Sequence, residues 1–280
     1  MRAAIYGVGR SGTKALQLWA AASLAQTYDA VWVTYEPFHW QDRKLTPSQR
    51  GQALHRSLPF FTEQAEGLDT LLADTLSQPV SVTKMIRANG RVAAVERVLQ
   101  PDVSILVIRD LYSVLESIAV ENWNLVDKRD WRRLCEEAAS LYPFLAAVLR
   151  PTTDKILTTA VFWFAMNHHA LQHSPDYTHV VRYTDLASLG GRFDFLRGRI
   201  DDYPGDNLHR DWPLQDVPPA RTGLFQRQPD PVGSLCRLVT ETPPADEAAS
   251  LPRTRVSVRH SDLFDELVGR VETLMVERAS

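Results

Sequence analysis

Ala3-Ala4-Ile5-Tyr6-Gly7-Val8-Gly9-Arg10-Ser11-Gly12-Thr13-Lys14-Ala15-Leu16 is the stretch that decides what kind of chain this is. Apolar residues of strand character enter a glycine-rich turn that carries Arg10, Ser11, Thr13 and Lys14, and a run rich in alanine and leucine leaves it. A strand–turn–helix of this kind aims backbone N–H groups and the positive end of a helix at one point, which suits a phosphate or sulfate. Gly7, Gly9 and Gly12 let the backbone approach such an anion, and Arg10 and Lys14 add cationic donors. The residue order differs from the Walker A loop, G-x-x-x-x-G-K-[ST], in which the hydroxyl after the lysine holds Mg²⁺. Here Gly7 and Gly12 fit the frame, but Thr13 precedes Lys14 and Ala15 stands in the place of that hydroxyl. The order speaks against an ATP·Mg²⁺ kinase. A tight structural turn with incidental charges is the plain alternative.

A chain of 280 residues, 44% apolar and 23% charged, has the composition of an ordinary globular enzyme and is long enough to bury a full core. A net charge of −3 gives no reason to expect nucleic acid or an acidic membrane as a partner. Two cysteines, Cys135 and Cys236, make no disulfide framework. The N-terminal apolar run is too short for a secretory signal, and no segment has the length of a membrane span. A cytoplasmic protein is the expectation, with residues 1–280 forming one α/β domain and an oligomeric state that no pattern reveals.

Short β-rich runs at 2–6, 30–34, 80–83, 104–108 and 178–181 alternate with helical patterns at 13–26, 92–99, 111–121, 130–149, 152–173, 185–197 and 261–277. That alternation predicts a central, mainly parallel sheet flanked by helices, a three-layer sandwich like that of P-loop nucleotide hydrolases. Residues 41–67 are polar and weakly periodic, and read as a lid or loop with short helices. Residues 201–253 hold 9 of the 17 prolines and read as an irregular excursion.

In an open parallel sheet ligands bind beyond the carboxyl ends of the strands. Arg10 follows the first predicted strand, Glu36 the second, Lys84 and Arg87 the third, Arg109 the fourth, and Arg182 with Tyr183 the fifth. Several cations would then gather around one carboxylate, an arrangement suited to a polyanionic ligand. Arg109 ends the apolar run Ile105-Leu106-Val107-Ile108, and Ser117 lies eight residues on, sharing a helix face with Ser113. Strand-end cation and helix hydroxyl form a candidate second anion pocket. Pairing of Arg109 with Asp110 or Glu116 is the structural alternative.

These stretches together resemble the sulfotransferases that use 3′-phosphoadenosine 5′-phosphosulfate (PAPS). Gly9-Arg10-Ser11-Gly12-Thr13-Lys14-Ala15-Leu16 resembles their 5′-phosphosulfate loop, with Arg10 where many members carry lysine. Val107-Ile108-Arg109-Asp110 followed by Ser117 is similar to their 3′-phosphate motif. Val181-Arg182-Tyr183-Thr184-Asp185-Leu186 resembles the strand-to-helix segment near the adenine. Tyr35-Glu36-Pro37-Phe38-His39-Trp40 and Thr83-Lys84-Met85-Ile86-Arg87 look like segments of the carbohydrate sulfotransferases. The likeness runs from about Ala3 to Leu186. It departs at Leu111, usually proline, at Thr184, usually glutamate, and at Ala15, where many members place a tryptophan.

The resemblance implies a sulfuryl transfer from PAPS to a hydroxyl acceptor, a carbohydrate or small molecule, with no metal. Arg10, Ser11, Gly12, Thr13, Lys14, Ala15, Arg109, Ser117 and Tyr183 would bind the donor, and Lys84 and Arg87 the acceptor or the sulfate. Arg10 would stabilise the leaving oxygen. Glu36 would take the acceptor's proton, with His39 in reserve. An exposed Glu36 paired with Arg43 or Lys44, and a solvated Lys84–Arg87 pair, are the dull alternatives. A small-molecule P-loop kinase and a non-catalytic nucleotide-binding module are the alternatives for the whole chain.

Overall fold

The computed structural model describes residues 1–24, 28, 31–35, 58–120, 124–188 and 261–279. Its centre is a sheet of five strands, β1 (Arg2–Tyr6), β2 (Trp32–Tyr35), β3 (Ser81–Met85), β4 (Val103–Ile108) and β5 (His179–Arg182). Every pairing is parallel and the order is β2-β3-β1-β4-β5. The α/β architecture expected from the alternation of elements is therefore present. Each expected strand is found within three residues of its predicted limits.

The three inner strands are buried on both faces, and β1 and β4 are apolar along most of their length, whereas β3 buries Ser81, Thr83 and Lys84. Alternation sorts their side chains. Ala4, Tyr6, Leu106 and Ile108 join one large cluster, while Ile5, Ile105 and Val107 are buried outside it. Helix α1 (Thr13–Leu24) returns the chain leftward from β1 to β2, whereas α3 (Val92–Leu99) carries it rightward from β3 to β4. Right-handed crossovers in opposite directions put these two helices on opposite faces of the sheet. Helix α2 (Leu68–Leu76) packs with α3 through Leu68, Leu71 and Leu72. Sequence patterning overlooked α2, which is only nine residues long.

After β4 come α4 (Leu111–Val120), α5 (Lys128–Leu141) and α6 (Lys155–His173). The helix expected over 130–149 stops at Leu141, because Pro143 has no N–H for the ladder and instead opens a 3₁₀ turn, Pro143–Leu145. The helix expected from 152 starts at Lys155, where the Asp154 carboxylate accepts from the Ile156 and Leu157 amides. Helix α6 is buried almost throughout and packs against α7 (Ser261–Ala279), which offers Phe264, Leu267, Val271 and Met275. Arg278 of α7 donates to the Leu171, Ser174 and Pro175 carbonyls at the end of α6, where a helix dipole favours a cation.

The end of the stretch expected to be a loop, residues 58–62, is clamped. Arg91, 3% exposed, donates to the Leu58 and Pro59 carbonyls. Thr62 N–H donates to the Gly90 carbonyl, and a Cβ on Gly90 would lie 2.2 Å from the Phe60 oxygen. Residues 41–57 and the proline-rich 201–253 lie outside the described residues. No helix among the described residues is long and apolar enough to cross a membrane.

One buried carboxylate lies at the heart of the sheet. Glu96 of α3, 3% exposed, accepts from Tyr6 Oη at 2.7 Å and Ser104 Oγ at 2.8 Å on one oxygen, and from Tyr177 Oη at 2.8 Å on the other. Burial raises its pKa above the ordinary glutamate value, and the three hydroxyls pull it back. The folded state therefore holds this proton more tightly than the unfolded chain, and the stability tied to it falls as pH rises from about 4.3 through the raised folded value. Chemical denaturation of wild type and Glu96→Gln is expected to show the variant gaining relative stability across that window. Parallel pH profiles would contradict this.

Candidate functional site

The strand order creates one crevice. The connection leaving β1 runs toward β2, and that leaving β4 runs toward β5, so the loops after these neighbouring strands diverge. Both sequence-predicted anion motifs stand there. Tyr6 pairs in register with Leu106, so the turn after β1 begins beside the last residues of β4. The approach is tight, since a Cβ on Gly7 would lie 2.9 Å from the Val107 carbonyl oxygen.

The turn itself is held in the left-handed region at two residues, Arg10 (φ 74) and Gly12 (φ 80). Ser11 N–H donates to the Val8 carbonyl at 3.1 Å, and the helical ladder begins with Leu16 N–H on the Gly12 carbonyl at 3.1 Å. The amides of Thr13, Lys14 and Ala15 precede that ladder at the positive end of α1. Ser11 Oγ is buried and meets no hydrogen-bond partner among the described residues. That leaves a donor at the turn for an oxyanion.

Two groups converge on residue 10 from β4 and α4. Arg109 Nη1 donates to the Arg10 carbonyl at 2.9 Å, and Arg10 Nε donates to Ser117 Oγ at 2.8 Å. Arg109 and Ser117, eight apart in sequence, are thus joined through the glycine turn. Arg109 also lies over the Tyr183 ring, 4.3 Å from its centroid, and its Nε is buried without a partner among the described residues. Ile108 pairs with Arg182, so the register brings Tyr183 level with Arg109. Burial is the main influence lowering the Arg109 pKa. An added anion would offset that cost. Neither predicted acid holds Arg109. Asp110 instead accepts from the Ser113 backbone N–H at 3.1 Å and from its Oγ at 3.4 Å.

The other predicted residues are distributed unevenly. Lys84 is 3% exposed and level with Tyr35 at the end of β2 and with Ile5 of β1. Glu36 and His39 lie outside the described residues, just past Tyr35. Arg87 forms an ion pair with Asp130 and donates to the Leu125 carbonyl. Arg182 is paired with both carboxylate oxygens of Glu272. The expected gathering of cations is therefore narrower than the strand ends suggested, because two of them are matched by protein acids.

His169 and His173 stack at 4.1 Å, as a shared helix face predicts, and no cluster of metal-ligating side chains occurs among the described residues. Burial first, then the two neighbouring histidines, pulls His169 down to about 4. Phe162, Trp163 and Phe164 are core, as their apolar run implies. Sequence reasoning missed that Trp163 Nε1 donates to the Arg109 carbonyl at 2.9 Å.

No protein-family model matches the chain, and no curated protein does. Among solved structures, the chain is similar to a sulfotransferase domain from the curacin biosynthetic pathway, at 15% identity and a TM-score of 0.44 over 98% of this chain and 96% of that one. The class defined by fold and site is a parallel α/β protein with a glycine-rich turn, braced by Arg109, at its switch point.

Proposed function

We propose that this protein is a PAPS-dependent sulfotransferase acting on a hydroxyl acceptor, with a carbohydrate favoured by the Tyr35-Glu36-Pro37 stretch. The observation that carries the proposal is the convergence of Arg109 and Ser117 on the glycine turn through the backbone and side chain of Arg10. That convergence would suit a nucleotide phosphorylated at both its 3′ and 5′ positions, with one phosphate on each side of Arg10. The buried Ser11 Oγ and Arg109 Nε, which meet no partner among the described residues, are consistent with that fit.

When bound, the donor supplies an activated sulfuryl group on a good leaving group. Arg10 and the amides from Gly12 to Lys14, with Ser11 and Thr13, hold the 5′ side and stabilise charge on the departing oxygen. Arginine stays protonated, so Arg10 acts as an electrostatic clamp. Arg109 and Ser117 hold the 3′-phosphate, and Tyr183 and Ala15 border the base. Glu36 accepts the acceptor's proton, with His39 as the second candidate. Lys84 faces the transferred group, whereas Arg87 would serve the acceptor only by leaving Asp130. Protein cations supply the charge stabilisation that Mg²⁺ supplies in kinases.

Calorimetric titration is expected to show adenosine 3′,5′-bisphosphate binding at least tenfold tighter than ATP or ADP, with labelled sulfate then moved to an acceptor in the presence of EDTA. Preference for ATP, with EDTA-sensitive turnover, would identify a kinase. Bisphosphate binding without transfer to any acceptor would identify a non-catalytic module.

A further inference from the structure

We infer that Trp163 is the positioning residue that makes this site selective for a nucleotide carrying a 3′-phosphate. The inference rests on the PAPS reading and extends it to a residue far from the turn in sequence. Trp163 lies on α6, the most thoroughly buried helix, and is itself 2% exposed. Its indole Nε1 donates to the Arg109 carbonyl at 2.9 Å. That carbonyl sits at the exit of β4, where the chain bends into α4 and no strand partner remains for it. The indole fixes the direction in which Arg109 leaves the sheet. From the same residue the guanidinium reaches the Arg10 carbonyl and lies over Tyr183. A hydroxyl-free apolar core would not need a tryptophan here, since a phenylalanine fills most of the same volume without an N–H to satisfy.

Trp163→Phe keeps the ring and removes the donor. Binding is measured by calorimetry with adenosine 3′,5′-bisphosphate and with adenosine 5′-phosphate, alongside thermal melting. The variant is expected to lose about tenfold in bisphosphate affinity while 5′-phosphate affinity changes less than twofold. A general loosening of the core would lower both alike, so equal losses would overturn the inference, as would an unchanged preference. If wild type shows no preference for the bisphosphate, the donor assignment itself fails and the role of Trp163 with it. Wild-type preference that survives in Trp163→Phe sinks only the positioning role. Should Trp163→Phe not fold, Trp163→His, whose ring retains an N–H, is measured in its place. It is expected to keep a larger share of the preference than Trp163→Leu, and equal values for those two variants would overturn the inference.

Discussion

Arg109→Ala is expected to weaken adenosine 3′,5′-bisphosphate binding about a hundredfold, the cost of losing a charge-assisted contact of about 2–3 kcal/mol. Adenosine 5′-phosphate should lose far less, within about fivefold by the same arithmetic. The small loss arises because Arg109 also ties the Arg10 carbonyl and so helps to shape the turn. Arg109→Lys separates charge from geometry. Lysine retains the cation but cannot place one nitrogen on that carbonyl while lying flat over Tyr183. It should therefore recover only part of the preference. Calorimetry with both nucleotides decides the matter. Equal losses for the two would mean that Arg109 merely braces the turn, and an unchanged preference would remove it from the site.

The same residue shows how far sequence alone could reach. That Arg109 and Ser117 both reach the glycine turn was legible because an apolar run ends at a strand exit and a helix follows, so spacing translated into geometry. The turn after β1 was equally plain, since glycines, hydroxyls and cations between a strand and a helix leave few other folds. What escaped were partners set by tertiary packing. Arg182 looked like a site cation until α7 brought Glu272 to it from 90 residues away. Trp163 is core, but its polar partner, the Arg109 carbonyl, lies 54 residues back and leaves no local signal. Glu96 carried no signal at all, yet it gathers hydroxyls from β1, β4 and the approach to β5.

The element boundaries tell a similar story on a local scale. Apolar periodicity continued past Leu141, and only the missing N–H of Pro143 explains why α5 stops there. Helix α2 was hidden for the opposite reason. Its stripe of Leu68, Leu71 and Leu72 is too brief to stand out from a polar surrounding, and it exists because α3 covers it. Strands fared better, because β1 and β4 are nearly continuous apolar runs and the shorter strands are rich in β-branched residues such as Val82, Thr83, Val180 and Val181.

Gly12→Ala should damage both the stability of the turn and nucleotide binding. The residue has φ +80, and the added Cβ would lie 2.6 and 2.7 Å from Tyr183 Cδ2 and Cε2 and 2.9 Å from Leu186 Cδ1. The left-handed backbone alone costs about 1–2 kcal/mol for a residue with a side chain. The overlap then forces the Tyr183 ring away, and that ring supports Arg109 from 4.3 Å. A loss of about 2–4 kcal/mol in stability is expected, seen as a fall of roughly 5–15 °C in Tm. Bisphosphate affinity should drop more than tenfold with it, because the turn and Arg109 move together. The double variant with Tyr183→Ala separates the two causes. Removing the ring relieves the two closest overlaps but leaves the Leu186 contact and the backbone penalty, so the double variant should be more stable than the sum of the single losses predicts. Strict additivity would mean that the ring and the turn are not in mechanical contact, and the tight seat of Tyr183 on the turn would no longer explain why a glycine stands at position 12.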